Sequence, residues 1–333
     1  MLSVDWFWER MRLTKKFVKE VDVEEVAICV PLEFKTACLI YELSKNVKVY
    51  PTKLDEFSTK ETAVRWLEEN GIKIFRRRDA VKAEYFLDCS AVLSRTAEKI
   101  GKGEIKVVEL TRTGEEYLRN LKIKLREIKL RAISVDSSRL KEIESSLGTP
   151  FGLLEALLKL NIYLPSKKVK IVGFGKVGKG CAELLRKLGC NVSVWDLKEE
   201  RQKEAISAGF NVSEDLKADL VILCTDSKVD FLVEDAIIVN MGAEIFKANG
   251  EIIRDYGAVK AFKSGEKVFY VVSDGYAANL AIGSGTPIEI MDLTFSAAVL
   301  GLNYLKKDFE GIIPLPKEIE DKIFREMKNL ISL

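Results

Sequence analysis

The chain has 333 residues, enough for two domains that each bury a core, and with 47% hydrophobic and 9% aromatic residues it reads as folded, not disordered. Lys+Arg 53 and Asp+Glu 51 leave a net charge of only +2, so nothing in the charge balance draws it over long range to nucleic acid or to an anionic membrane. There is no histidine, which excludes imidazole as base, acid or metal ligand and with it the Ser–His and Cys–His nucleophile systems.

Acid–base work must therefore come from Asp, Glu, Lys, Tyr or Cys. Gln202 is the only glutamine, and this charge-rich composition leans towards a thermophilic source. The cysteines (Cys29, Cys38, Cys89, Cys181, Cys190 and Cys224) form no CxxC pair and are expected to be buried free thiols in a reducing cytoplasm. The opening MLSVDWFWERMRLTKKFVKEV is amphipathic and charged, unlike a secretory signal, and no window approaches a membrane span.

In chain order, EEVAICV reads as a strand, FKTACLIYELSKN as a helix and VKVYP as a strand. TKETAVRWLEENG reads as a helix capped by Ser58 or Thr59 and ended by Gly71. IKIF, AEYFLD and IKVVEL are three more expected strands, and residues 114–130 an expected charged helix. RAISV is a strand, and DSSRLKEIESSL a helix with Asp136 and Ser137 as its caps. Gly148, Pro150 and Gly152 mark a junction. A second block runs from about Lys167 to Gly285 with strands KIVGF, NVSVW, DLVILC, AIIVN and KVFYVV. TPIEIMDLTFSAAVLGLNYLKK and LPKEIEDKIFREMKNLISL are the closing helices. Strands alternating with helices predict βαβ units and parallel sheets, an α/β fold.

Residues 170–196, KIVGFGKVGKGCAELLRKLGCNVSVWD, carry the clearest chemistry. Gly173, Gly175 and Gly178 form GxGxxG after a strand. The first glycine permits the turn, the second lets backbone approach a pyrophosphate, and the third lets the following helix lie close. Free N–H groups at that helix start favour phosphate, and Lys176, beside Val177 in the same loop, adds charge. Asp196 closes the next strand, placed to accept the ribose hydroxyls. An acid there disfavours a 2′-phosphate, so the expected cofactor is NAD and not NADP.

GKVGKGCAELLRKLGCNVSVWD resembles the cofactor segment of the S-adenosylhomocysteine hydrolases. VNMGAEI, SDGYAANLAIGSGTPIEIMDLTFSAAVLGLNYL, TACLIYEL with DEFSTKETAV, and ISVDSSRLKE resemble further segments of that family in the same order. The resemblance implies a Rossmann-type NAD-binding domain inserted in a smaller α/β substrate domain, with boundaries near 1–150 (completed by about 287–310), 151–286 and a C-terminal helix 311–333. It implies that NAD oxidises a nucleoside 3′-hydroxyl, which acidifies C4′ so that a thiol leaves and water adds before the ketone is reduced again. Carried over residue by residue, it assigns Thr225, Asn240, Gly242 and Asn279 to the cofactor, and Lys141 and Glu109 to the ribose hydroxyls and catalysis, with Thr36 kept in the first helix.

The departures matter as much. Histidines of the family pattern are replaced by Pro31, Ala243 and Thr286, an aspartate by Cys89 after Asp88, and an Asp–Asn pair by Ser145 and Ser146. The cofactor cradle is kept while proton-transfer groups are lost. The expectation is an NAD-binding homologue that binds an adenosyl or related thioether ligand and is deficient in the full hydrolase reaction. Two alternatives stay open: an NAD-dependent enzyme oxidising another nucleoside-like substrate, with Lys141 as base assisted by Glu109, Asp88 or Cys89, and an active hydrolase using non-histidine groups. A homo-oligomer is expected, a dimer because the tail is short for the family's tetramer.

Overall fold

The computed structural model describes residues 4–124, 128–215, 217–225 and 235–331. The chain divides into an outer unit, residues 1–143 with 288–333, and an inner unit, residues 144–287. Strands β1 (Glu25–Cys29), β2 (Lys48–Pro51), β3 (Tyr85–Asp88), β4 (Glu104–Glu109) and β5 (Lys129–Ser134) belong to the outer unit. Strands β6 (Lys168–Val172), β7 (Asn191–Trp195), β8 (Asn211–Val212), β9 (Leu220–Leu223), β10 (Ile237–Asn240), β11 (Glu251–Asp255), β12 (Val259–Ser264) and β13 (Lys267–Val272) build the inner one. The chain then returns to the outer unit with β14 (Gly311–Pro314).

The outer sheet has the order β14-β5-β4-β3-β1-β2 and all its pairings are parallel. Its central strands β1 and β3 are almost wholly buried because helices cover both faces. The helices Phe34–Leu43 and Ile288–Tyr304 fill one face with Leu39, Ile40, Phe295 and Val299, while Leu93, Ala97, Leu118 and Leu121 fill the other. Asp292 ties the N-terminal region to the long helix by accepting the Leu13 and Thr14 N–H groups at 2.9 and 2.7 Å. The outer unit is thus the larger of the two, not the smaller as the resemblance implied, because the N-terminal helices, β14 and the helix Lys317–Ile331 all pack onto it.

The inner sheet has the order β11-β12-β13-β10-β9-β6-β7-β8, parallel from β13 to β8 and finished by the antiparallel strands β12 and β11. Chain order reverses between β6 and β9, the Rossmann pattern of a doubly wound α/β fold.

Four local readings need correction. IKIF is not a strand: it makes one bond to the short edge strand β2, Phe75 N–H to Pro51 C=O at 2.8 Å, and the Phe75 ring meets Tyr50 edge-to-face. The charged helix spans Arg112–Lys124 and does not reach 130, because Lys129 and Leu130 pair with Glu104 and Ile105 in β5; residues 125–127 of that expectation lie outside the described residues. Ser58 and Thr59 do not cap the helix Glu61–Glu69, whose N-cap is Lys60; the Ser58 N–H and hydroxyl bond Asp55 at 2.7 and 2.8 Å instead. The capping bond of the helix Arg139–Ile143 runs from the Lys141 N–H to Ser138 Oγ at 3.1 Å, one residue beyond the expected caps.

Candidate cofactor cradle and ligand crevice

The inner unit concentrates its site at the β6/β9 reversal, where open α/β sheets hold ligands outside the carboxyl ends of their strands. Gly173 follows β6 with φ +95°, and a Cβ there would lie 2.5 Å from the Cys224 carbonyl oxygen. A Cβ on Gly178 would lie 1.9 Å from the Gly173 carbonyl oxygen. These two glycines let the turn lie against the end of β9 and the helix Lys176–Lys187 lie against the turn. Gly175 is different. It has φ −77°, which any residue adopts, and its missing Cβ faces only the guanidinium of Arg201, with Nη1 at 2.9 Å. Glycine there leaves the place of a Cβ to that guanidinium.

Asp196, 6% exposed, stands at the end of β7. Its Oδ2 accepts the Phe174 N–H at 2.7 Å and its Oδ1 the Lys198 N–H at 2.9 Å. A carboxylate has about four lone-pair positions, so acceptor capacity remains for a diol. Thr225 lies one residue beyond Cys224, with its Cβ 3.1 Å from where a Gly173 Cβ would be. Lys176 is exposed at the helix start, and Val177 packs inward.

Asn240, at the end of β10, uses its side chain to hold loops. Nδ2 donates to the Glu244 and Gly275 carbonyls at 2.7 and 2.8 Å, and Oδ1 accepts the Gly242 N–H at 2.9 Å. Asn279 lies in the short helix Ala278–Ala281 after β13 and is 7% exposed. The helix Thr149–Lys159 approaches it closely at Gly152, whose missing Cβ would sit 2.9 Å from the Asn279 Cβ. The structure thus brings Gly173, Gly175, Gly178, Asp196 and Thr225 to one turn, while Asn240, Gly242 and Asn279 sit around the ends of β10 and β13. Arg201 was not singled out in the sequence. The available signal was its place in the first turn of the helix Glu199–Ser207, five residues after the acid.

The outer sheet reverses between β1 and β3. The carboxyl ends there carry Asp88, Cys89, Ser90 and Ala91 after β3, with Glu109 at the end of β4. Asp88 and Glu109 are register partners, both 0% exposed. Asp88 accepts the Leu93 and Ser94 N–H groups at 3.1 and 2.9 Å and so fixes the start of the helix Val92–Lys99. Glu109 accepts the N–H groups of Ser90, Ala91 and Thr111 at 3.1, 3.0 and 2.8 Å, and the Thr111 hydroxyl at 2.6 Å. Ser90 and Ala91 are held in the left-handed region at φ 57° and 54°. Gly114 closes over the carboxyl, since a Cβ there would sit 2.1 Å from Glu109 Cδ.

Burial raises both carboxyls. Asp88 is pushed up by desolvation against four hydrogen bonds to its charged form, and Glu109 by desolvation and then by the neighbouring Asp88 charge. The Cys29 thiol is pushed up to about 12 by burial and by Asp88. Burial and Glu109 raise Cys89, and the positive charge of Lys141 opposes them, which puts that ammonium within electrostatic reach. Lys141 itself is half-buried. Thr36 is buried and donates to the Pro31 carbonyl at 2.7 Å. This end of the outer sheet therefore gathers a buried acid pair, two thiols held protonated and one half-buried lysine.

Residues 153–261 match the sequence model of the NAD binding domain of S-adenosyl-L-homocysteine hydrolase. The chain is 28% identical to an adenosylhomocysteinase of Thermotoga maritima, covering 97% of this chain and 93% of that protein. It is 26% identical to an S-inosyl-L-homocysteine hydrolase of Methanopyrus kandleri, covering 96% and 88%. An adenosylhomocysteinase of Thermoplasma acidophilum is 25% identical over 96% of this chain and 90% of its own length. The inner unit is an NAD-binding domain, and among the described residues no helix is long and apolar enough to cross a membrane.

Proposed function

We propose that this divergent relative of the adenosylhomocysteinases holds NAD in its inner unit, binds a purine nucleoside thioether in its outer unit, and is deficient in the full hydrolase reaction. The cradle residues fit the cofactor: bare backbone at Gly175, a helix start, and the Asp196 carboxylate beside them. When bound, NAD would supply reversible oxidation of a hydroxyl; the chain must supply orientation and proton handling. Gly175 and the first N–H groups of the helix Lys176–Lys187 bind the pyrophosphate, Asp196 the adenosine ribose, and Thr225 and Asn279 the nicotinamide half.

The observation that carries the deficiency is the state of Glu109 in a chain without histidine. Its oxygens are taken by the Ser90–Ala91 turn and by Thr111, and Gly114 seals it in. A general base must reach its proton within hydrogen-bond distance, and this one is walled off. Loss of a positioned base costs about 10²–10⁴ in rate. Lys141 remains half-buried near Cys89, and this favours a second reading, NAD-dependent oxidation of a nucleoside-like hydroxyl with Lys141 as base.

The test is direct. Purified protein is denatured and the supernatant assayed for dinucleotide, then intact protein is mixed with S-adenosyl- and S-inosyl-homocysteine and followed for free thiol and for NADH absorbance. The main reading requires bound NAD, measurable ligand affinity and no thiol release. NADH absorbance without thiol favours the second reading. Thiol release at the rate of the active relatives overturns both. The dimer belongs to the same proposal. It is supported by the exposed Phe151 and Leu158, seven residues apart on the helix Thr149–Lys159, with the exposed Leu147 just before that helix, and is checked by sedimentation.

A further inference from the structure

The sequence alone makes Asp196 the determinant of cofactor choice, an acid that rejects a 2′-phosphate. The folded site is less one-sided. Arg201 Nη1 lies 3.5 Å from Asp196 Oδ2, the same oxygen that accepts the Phe174 N–H. The guanidinium also lies over Gly175, with Nη1 2.9 Å and Nη2 3.8 Å from the position a Cβ would take. It therefore stands where the adenosine ribose meets the pyrophosphate. Its side chain is 30% exposed and is held by one ion pair longer than a good hydrogen bond.

This placement runs against local electrostatics. The start of the helix Lys176–Lys187 carries a partial positive charge that repels a cation in its first turn. Lys176 and Lys179 stand on that same helix, and Lys198 precedes the helix Glu199–Ser207. Asp196 is the negative charge that Arg201 meets among the described residues, and that carboxylate is already donated to by two backbone N–H groups. A guanidinium with spare donors, held over bare backbone and beside a partly neutralised acid, is suited to a phosphate oxygen in a bidentate fork.

We infer that Arg201 sets the phosphate tolerance of the site: it offsets the Asp196 charge and pairs with a phosphate on the adenosine ribose, so that the protein takes NADP as well as NAD. This rests on the reading of the inner unit as a dinucleotide cradle. Arg201 is a specificity-determining residue here; Asp196 still accepts a free 2′-hydroxyl when NAD is bound.

The experiment is calorimetric titration of cofactor-stripped full-length protein with NAD and NADP, for the parent chain and for Arg201→Ala, Arg201→Lys and Asp196→Asn. The parent is expected to prefer NAD by no more than about tenfold, against a much larger ratio for an unopposed acid. Arg201→Ala is expected to weaken NADP at least about tenfold more than NAD, since a charge-assisted bidentate contact is lost for one ligand only. Arg201→Lys restores part of that loss, and Asp196→Asn moves the preference towards NADP. Equal effects of Arg201→Ala on both ligands, or no NADP binding by the parent, overturns the inference while leaving the NAD cradle standing. Absence of binding for either dinucleotide instead sinks the cradle itself. Circular dichroism of each variant separates a binding loss from unfolding.

Discussion

Replacing Gly175 and Gly178 by alanine, one at a time, separates a ligand-facing glycine from a packing glycine. At Gly178 the new Cβ would sit 1.9 Å from the Gly173 carbonyl oxygen, which is backbone and cannot rotate away. Ordinary carbon–oxygen contact is about 3.3 Å or more, so helix and turn must part by more than about 1 Å. Overpacking of that kind costs about 1–3 kcal/mol or more. At Gly175 the new Cβ meets only the movable end of Arg201, and the backbone at φ −77° accepts alanine without strain. Removing a glycine from the unfolded chain there stabilises by about 0.4–1 kcal/mol. Gly175→Ala should therefore keep or gain stability in urea unfolding while NAD affinity falls about 100-fold, about 2.7 kcal/mol, because the methyl stands in the pyrophosphate's approach. Gly178→Ala should lose both stability and NAD. A Gly175→Ala protein that binds NAD as the parent does would refute the placement of the cofactor over this turn. A Gly178→Ala protein of parent stability would refute the packing argument.

The left-handed turn in the outer crevice gives a second pair. Ser90→Gly removes about 1–2 kcal/mol of backbone strain for about 0.5–1 kcal/mol of added chain entropy, so denaturant unfolding should show a gain of up to about 1.5 kcal/mol. Ala91→Gly also discards a fully buried methyl worth about 0.8 kcal/mol and should come out near neutral; a gain at Ala91 larger than that at Ser90 contradicts the strain argument. For pH, the folded carboxyl of Glu109 is raised from 4.5 to about 8, so the native state holds a proton that the unfolded chain has released between those values. The associated stability is fully present below pH 4.5 and is lost as pH rises through about 8, at up to about 1.4 kcal/mol per pH unit. Glu109→Gln should flatten that fall, and an unchanged slope in urea unfolding across the window argues that Glu109 is ionised throughout. Lys141→Met should leave NAD content intact and reduce nucleoside thioether affinity in calorimetry; unchanged affinity removes Lys141 from the crevice.

What the sequence made legible follows from how much each signal depends on distant partners. The glycine spacing from 173 to 178 and the acid at 196 are local, and the structure brings them to one turn because a strand, a turn and a helix in succession leave little choice. The strand β11 was not legible: all five of its residues are exposed, so no alternation of buried and exposed positions marks it. β14 was missed for another reason. Its four residues, between Gly311 and Pro314, become a strand only because β5 offers a free edge, as the register of Ile313 against Ile133 shows. The IKIF segment errs the opposite way, with strand-like residues but only a single backbone bond to β2, at Phe75.

The same distinction governs the two sites. A phosphate cradle is made of backbone, so glycine positions announce it. A proton-transfer site is made of side chains whose use depends on what else has claimed them. Glu109 reads in sequence as an acid at a strand end, available to a ligand. In the fold, the turn at Ser90 and Ala91 lacks glycine and sits in the left-handed region, and the Glu109 carboxyl oxygens accept both of its N–H groups. A carboxyl that is fully buried behind that turn is a poor catalytic base however readily it holds a proton, because no ligand proton comes within hydrogen-bond distance of it. On the proposed reading, the absence of histidine and the burial of Glu109 act in one direction, against proton transfer at this end of the outer sheet.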